Sequence, residues 1–178
     1  MKNHLILLFG LVAAANHSTA QYTPTDREST IKFTINNFGF GVDGSFTGLQ
    51  GAIDFDPQNL PSAKFDVSID ASTVNTDNSL RDSHLRNDSY FDVKNYPRIR
   101  LVSTRIEPTG KAGTYQFTGQ LTIKKTTLPV SFPFTIHVVD AGLNFKGSFT
   151  VKRKDFDVGG TSTISNELTV SLNVNATK

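Results

Sequence analysis

The sequence predicts an all-β fold of about eight antiparallel strands, and three observations support it. Apolar and polar residues alternate with a period of two along successive runs, which gives each run one dry face and one wet face. Most runs are joined by short turn-forming stretches such as DPQNLPS, EPTGKAG and VVDAGL. Short links between successive strands make them antiparallel neighbours. The alternation stops conspicuously only once, at residues 73–99, where charges crowd in.

Residues 1–20 read as a secretory leader rather than as part of the fold. Lys2 gives a positive start, LILLFGLVAAA (5–15) is a short apolar run, and Ser18 and Ala20 are small residues before a cut at Gln21. The run is too short to span a bilayer, which takes about 20 apolar residues. The expected mature chain, 21–178, is one domain, exported to the periplasm or secreted. Cleavage removes Lys2 and no acid, so the 18 basic and 16 acidic residues become 17 and 16, a formal charge of +1. That balance supplies no strong field for nucleic acid or an anionic membrane. With no Cys, the domain relies on its core alone.

The strands follow in order. In 29–36, Ile31, Phe33 and Ile35 share one face. In 48–56 the row is Leu49, Ile53 and Phe55, and in 64–70 it is Phe65, Val67 and Ile69. Run 99–106 is less regular. Tyr115, Phe117, Leu121 and Ile123 alternate with polar residues in 114–124, and Leu128, Val130, Phe132, Phe134 and Ile136 do so in 128–138. Leu143, Phe145, Phe149 and Val151 mark 142–151, and Leu168, Val170, Leu172 and Val174 mark 167–174. Pro129 and Pro133 donate nothing to a ladder, so their strand is expected to be bulged or partly unpaired. Gly48, Gly51, Gly119 and Gly147 mark bends or close approaches. Such a set of strands packs as a sandwich or closes into a barrel, and closure removes exposed edges.

The interruption reads as a short helix. Thr76, Asp77 and Asn78 are all capable N-caps, Asp82 falls in the first turns, and SLRDSHLRN supplies two turns. Leu80, His84 and Leu85 lean one way, Phe91 follows, and Tyr96-Pro97 enters the next strand extended. So short a helix needs apolar support. The segment is therefore expected to lie across an open end as a lid or plug.

Chemistry is sparse. After the leader there are two His, His84 and His137, and no Cys, which leaves no zinc set. The charge run around His84 reads as a solvated face, and KRK (152–154) and KK (124–125) as solvated strand ends. Asp54, Asp56, Asp66 and Asp70 are candidates for a glycosidase-like pair, but they stand opposite the apolar rows. Phe is abundant, with 14 in the chain. Its rows suit an aromatic core and an aromatic-lined tunnel equally well.

Four stretches together resemble the YceI-like family: STIKFTINNFGFGVDGSFTGLQGAIDFD, STVNTDNSLRDSHLRNDSYFDVKNYPRI, YQFTGQLTIKKTTLPVSFPF and GSFTVKRKDFDVGG. Asn37, Leu101 and Asp157 depart from residues frequent there, which are His, Phe and Gly. The resemblance implies an eight-stranded antiparallel lipocalin-like barrel with a short helix near one mouth. It also implies a lumen that holds a polyisoprenoid or a quinone-like tail. On this view the lumen is lined by Phe33, Ile35, Phe55, Phe65, Val67, Ile69, Leu80, Leu85, Phe91, Phe117, Leu121, Phe132, Phe134, Phe145 and Phe149. The expected role is a carrier or store for an apolar isoprenoid lipid, with no cofactor, metal, nucleic acid partner or catalytic residue, and compatible with a homodimer. The rival expectations are a filled barrel acting through its surface on a partner or in stress, and an enzyme acting on isoprenoid lipids.

Overall fold

The strands are β1 (Gln21–Asn37), β2 (Phe40–Asp54), β3 (Lys64–Asn75), β4 (Arg98–Pro108), β5 (Thr114–Ile123), β6 (Thr126–Val139), β7 (Gly142–Lys152) and β8 (Ile164–Thr177), with one α-helix among the described residues, α1 (Ser79–Arg86), between β3 and β4. All neighbours are antiparallel and in chain order, and β8 pairs with β1 to close the barrel. This is a computed structural model that describes residues 20–160 and 163–178. The expected leader lies outside the described residues except for Ala20, whose carbonyl accepts from the Phe55 amide at 3.1 Å.

β1 and β2 both begin about eight residues before the alternation is legible. In β1 the early part carries a register shift, so charged Asp26, Arg27 and Glu28 interrupt the row. Asp26 has a structural task there. Its carboxylate accepts from the amides of Gly48 and Leu49 at 2.9 and 3.0 Å, where β2 itself shifts register. In the first half of β2, Gly44 occupies an inward position. A Cβ at Gly44 would stand 2.2 Å from the Phe33 ring, so that ring supplies the packing the glycine lacks. At Gly51 a Cβ would stand 2.0 Å from the Asp66 carbonyl, a close approach of β2 and β3.

The prolines of β6 leave their expected trace. β6 pairs with β5 from Thr126 to Thr135, but with β7 only from Phe134 to Val139. Pro129 and Pro133 therefore lie where the β6–β7 ladder is missing. Inside this seam Phe132 stacks on Phe149 at 4.5 Å and on Phe117 at 4.8 Å, so three rings bridge β5, β6 and β7.

One residue in each of the two basic runs departs from the solvated reading. Arg153 is 4% exposed and donates to the carbonyls of Val158, Ile164 and Ser165. It holds the turn Arg153–Phe156 against the start of β8. The Lys124 ammonium donates to the Asp88 and Asp157 carbonyls at 3.1 and 2.8 Å. Asp157 itself adopts φ 58°, a left-handed conformation that Asp tolerates better than most residues.

On the outer wall, Arg100 of β4 donates to both oxygens of Asp66 on β3 at 2.8 and 2.6 Å. This fork holds the Asp66 carboxyl below its ordinary range. A depressed folded-state pKa gives stability that is present above the unfolded value and lost as pH falls through the folded one. Because both groups are partly solvated, Asp66→Asn should cost only about 0.5 kcal/mol near neutral pH. It should cost nothing once acid has protonated Asp66. Urea titrations of both proteins, one series at neutral pH and one in acid, check this.

Candidate functional site

Closure turns each alternating row into an inside and an outside. Lys32, Thr34 and Asn36 of β1 face out while Ile31, Phe33, Ile35 and Asn37 line the interior. This is the reverse of a barrel that spans a bilayer with its strands, which is apolar on the outside. Among the described residues no helix is long and apolar enough to cross a membrane.

The two ends of the barrel differ. At the end with the β2–β3, β4–β5 and β6–β7 links, aromatic side chains fill the interior. Phe55 meets Phe65, Tyr115 and Phe145 edge-on at 6.2, 5.2 and 6.2 Å, and Phe65 meets Phe134 and Phe145 at 5.6 and 5.4 Å. This is the floor. Above it lies a cavity of about 470 Å³, within the range of pockets that enclose drug-sized ligands. Its upper wall is more aliphatic, with Val42, Ile99, Leu101, Leu168, Val170 and Leu172. From Ile164 to Val174 the lining of β8 runs about 33 Å along the strand, or roughly 25 Å along the axis for a tilt of ~40°.

Of the expected lumen residues, Phe33, Ile35, Phe65, Val67, Ile69, Leu80, Leu85, Phe91, Phe117, Leu121, Phe132, Phe134, Phe145 and Phe149 line this cavity. Phe55 does not. It sits one residue past the end of β2, 2% exposed, inside the floor. The alternation carried it into the same row as Ile53, but the strand ends before reaching it. Leu80 stands on the rim, 68% exposed. Sequence reasoning missed Phe46, which bridges Phe33 and Phe91 at 5.7 and 5.4 Å. Its signal was the spacing Val42-x-Gly44-x-Phe46, obscured by the glycine. Tyr90 and Val158 come from links between strands and gave no periodic signal.

α1 lies at the mouth, where Leu80, Arg81, His84 and Leu85 line the cavity, and polar groups anchor it to the end of β3. Asn78 caps the helix through its side chain, accepting from the Arg81 amide at 3.0 Å. Asp82 is 6% exposed and accepts from the amide and hydroxyl of Thr76 at 2.9 and 2.5 Å. Arg81 donates to the Thr76 hydroxyl and carbonyl, both at 2.7 Å. Arg86 donates to the Ser72 and Val74 carbonyls at 2.7 and 2.9 Å. The charge run is thus a clamp onto the end of β3, not a solvated face. His84 is exposed within it, and His137 is exposed on β6.

The acidic residues weighed as a catalytic pair are placed elsewhere. Asp66 pairs with Arg100, Asp70 accepts from Ser72, Asp54 from Gln21 and Asp56 from the Gln58 amide. None of the four lines the cavity. Among the described residues no cluster of His, Asp or Glu could hold a metal ion.

Comparison with known proteins was consistent with this geometry. A family model for the YceI-like domain matches residues 22–176. A UPF0312 protein of Pectobacterium carotovorum is 30% identical over 158 residues, covering 83% of this chain and 81% of its own. The crystal structure of Burkholderia cenocepacia BcnA aligns with a TM-score of 0.79 at 25% identity, over 85% of this chain and 98% of that one. The Campylobacter jejuni YCEI protein aligns at 0.68 with 30% identity, over 77% and 85%. A polyisoprenoid binding domain from Saccharophagus degradans, implicated in plant cell wall breakdown, aligns at 0.70 over 90% and 99%. At 12% identity the last match shows a shared fold only.

The clamp can be tested directly. Asp82→Ala strips a buried amide and a buried hydroxyl of their charged acceptor, which should cost about 2–3 kcal/mol. In denaturant titrations the midpoint should fall accordingly. Amide exchange should accelerate at Thr76 and along α1 more than in β5.

Proposed function

The chain belongs to the YceI-like domain family, and on that premise we propose that it binds a long apolar lipid, a polyisoprenoid or quinone-like tail, in the barrel lumen. In this reading it is a periplasmic carrier or store and carries out no chemical step. The observation that carries the reading is the hollow itself, about 470 Å³, walled by Phe, Ile, Leu and Val. The surface-acting rival requires a lumen filled by its own side chains. The solved Saccharophagus degradans domain, described as polyisoprenoid binding, lends support through the shared fold. Export rests on the leader layout of residues 1–20. The lining comes from a single chain, so the reading suits a monomer and a homodimer alike.

The energetics explain why the ligand must be long. Each buried methylene contributes about 0.8 kcal/mol, so one five-carbon isoprene unit contributes roughly 4 kcal/mol. Association costs about 4–15 kcal/mol in lost freedom. One unit scarcely offsets that cost, and several units exceed it. Affinity should therefore climb steeply with tail length.

Titration with geraniol, farnesol and geranylgeraniol checks this. Each added unit should tighten binding by at least about tenfold until the cavity is full. A flat series would refute a lumenal tail. As a second test, Val170→Phe places a ring in open lumen. It should leave the melting temperature within a few degrees while weakening geranylgeraniol binding about tenfold or more. Unchanged affinity would place the ligand elsewhere.

A further inference from the structure

One polar atom at the mouth has no counterpart. Along β1 the inward positions are Ile31, Phe33, Ile35 and then Asn37, so Asn37 is the last lining residue before the hairpin opens to solvent. Its Oδ1 is buried and accepts no hydrogen bond, the one such side-chain atom among the described residues. A buried acceptor left alone is unfavourable, and native structures rarely keep one without a purpose. His84 and Tyr90 also line the cavity near that end, while four other polar lining residues are committed to the protein itself. Thr76 is bound to Asp82 and Arg81, and the Asn78 oxygen caps α1. Arg81 and Arg153 are turned to backbone carbonyls.

The floor is packed, so a tail enters through the mouth and its polar end stops at the level of Asn37. We propose that Asn37 is the head-group contact of this site and selects a lipid whose polar end is a neutral hydrogen-bond donor, a hydroxyl. The inference rests on the lumenal-lipid reading given above. The Asn37 oxygen accepts the hydroxyl proton and loses its unsatisfied state when the ligand seats. An ether or quinone oxygen has no proton to give and leaves it orphaned. A phosphate head brings charge to a rim whose arginines already serve the backbone. The tail still supplies most of the affinity, and the head adds about one hydrogen bond.

The test uses the mature protein and four probes with one carbon skeleton: geranylgeraniol, its methyl ether, the parent hydrocarbon and geranylgeranyl phosphate. The alcohol should bind about tenfold more tightly than the ether and the hydrocarbon, and no less tightly than the phosphate. Asn37→Leu should erase the preference for the alcohol while retaining the hydrocarbon. Equal binding of alcohol, ether and hydrocarbon by the unaltered protein would overturn the assignment of Asn37 and leave the lipid site standing. Tighter binding of the ether would overturn it as well, because the amide would then be presenting its NH2 group. Failure of all four probes to bind would overturn the lipid reading and this inference with it.

Discussion

The ladder between β8 and β1 is the constraint on which the molecule depends. It runs, with two shifts of register, from Thr23–Thr177 to Asn37–Ile164. Without it the two strands would be exposed edges, open to pairing with other chains. The apolar rows would also form one face of an open sheet and need a second layer to cover them. With it the sheet covers itself, and no other layer is required. An eight-stranded ring then leaves an interior that side chains just fill or that accepts one small ligand. Which of these results is decided by where the large side chains fall.

Here they fall unevenly. Phe55, Phe65, Tyr115, Phe134 and Phe145 crowd one end and meet at ring separations of 5.2–6.4 Å. Toward the other end β8 contributes Leu168, Val170 and Leu172, and β2 contributes Val42 and the bare Gly44. A closed aromatic floor thus lies beneath an open hollow, whose upper wall mixes these aliphatic residues with Phe33, Phe46 and Phe91. The missing stretch of β6–β7 ladder does not collapse that hollow, because the Phe117–Phe132–Phe149 stack replaces backbone pairing with ring contacts.

The segment at the mouth follows from the same requirement. A helix held by an apolar stripe would have to push that stripe into the barrel and occupy it. α1 is held at its side instead, by Arg81, Asp82 and Arg86 bonded to Ser72 and Val74 of β3 and to Thr76 just past its end. Buried charge-assisted hydrogen bonds fix it without using lumen volume. Leu85, Tyr90 and Phe91 complete the upper wall. A polar anchorage and an apolar interior therefore coexist within one short stretch.

Much of this was legible in the chain. Period two fixed strand identity from β3 onward, because a half-buried strand must alternate. It placed eleven of the twelve expected lumen residues in the alternating runs on the inner wall, and Asn78 announced the helix start. What the sequence could not settle was set by partners distant in the chain. Phe46 and Gly44 acquire meaning only beside Phe33, and Phe55 becomes floor because β2 ends at Asp54. Arg153, Lys124 and Asp82 looked like surface charges until tertiary folding brought carbonyls and hydroxyls to them. Alternation is a local property, since the pleat imposes it residue by residue. Closure, the hollow and the fate of each buried charge depend on contacts between distant segments, and only the folded ring brings those together.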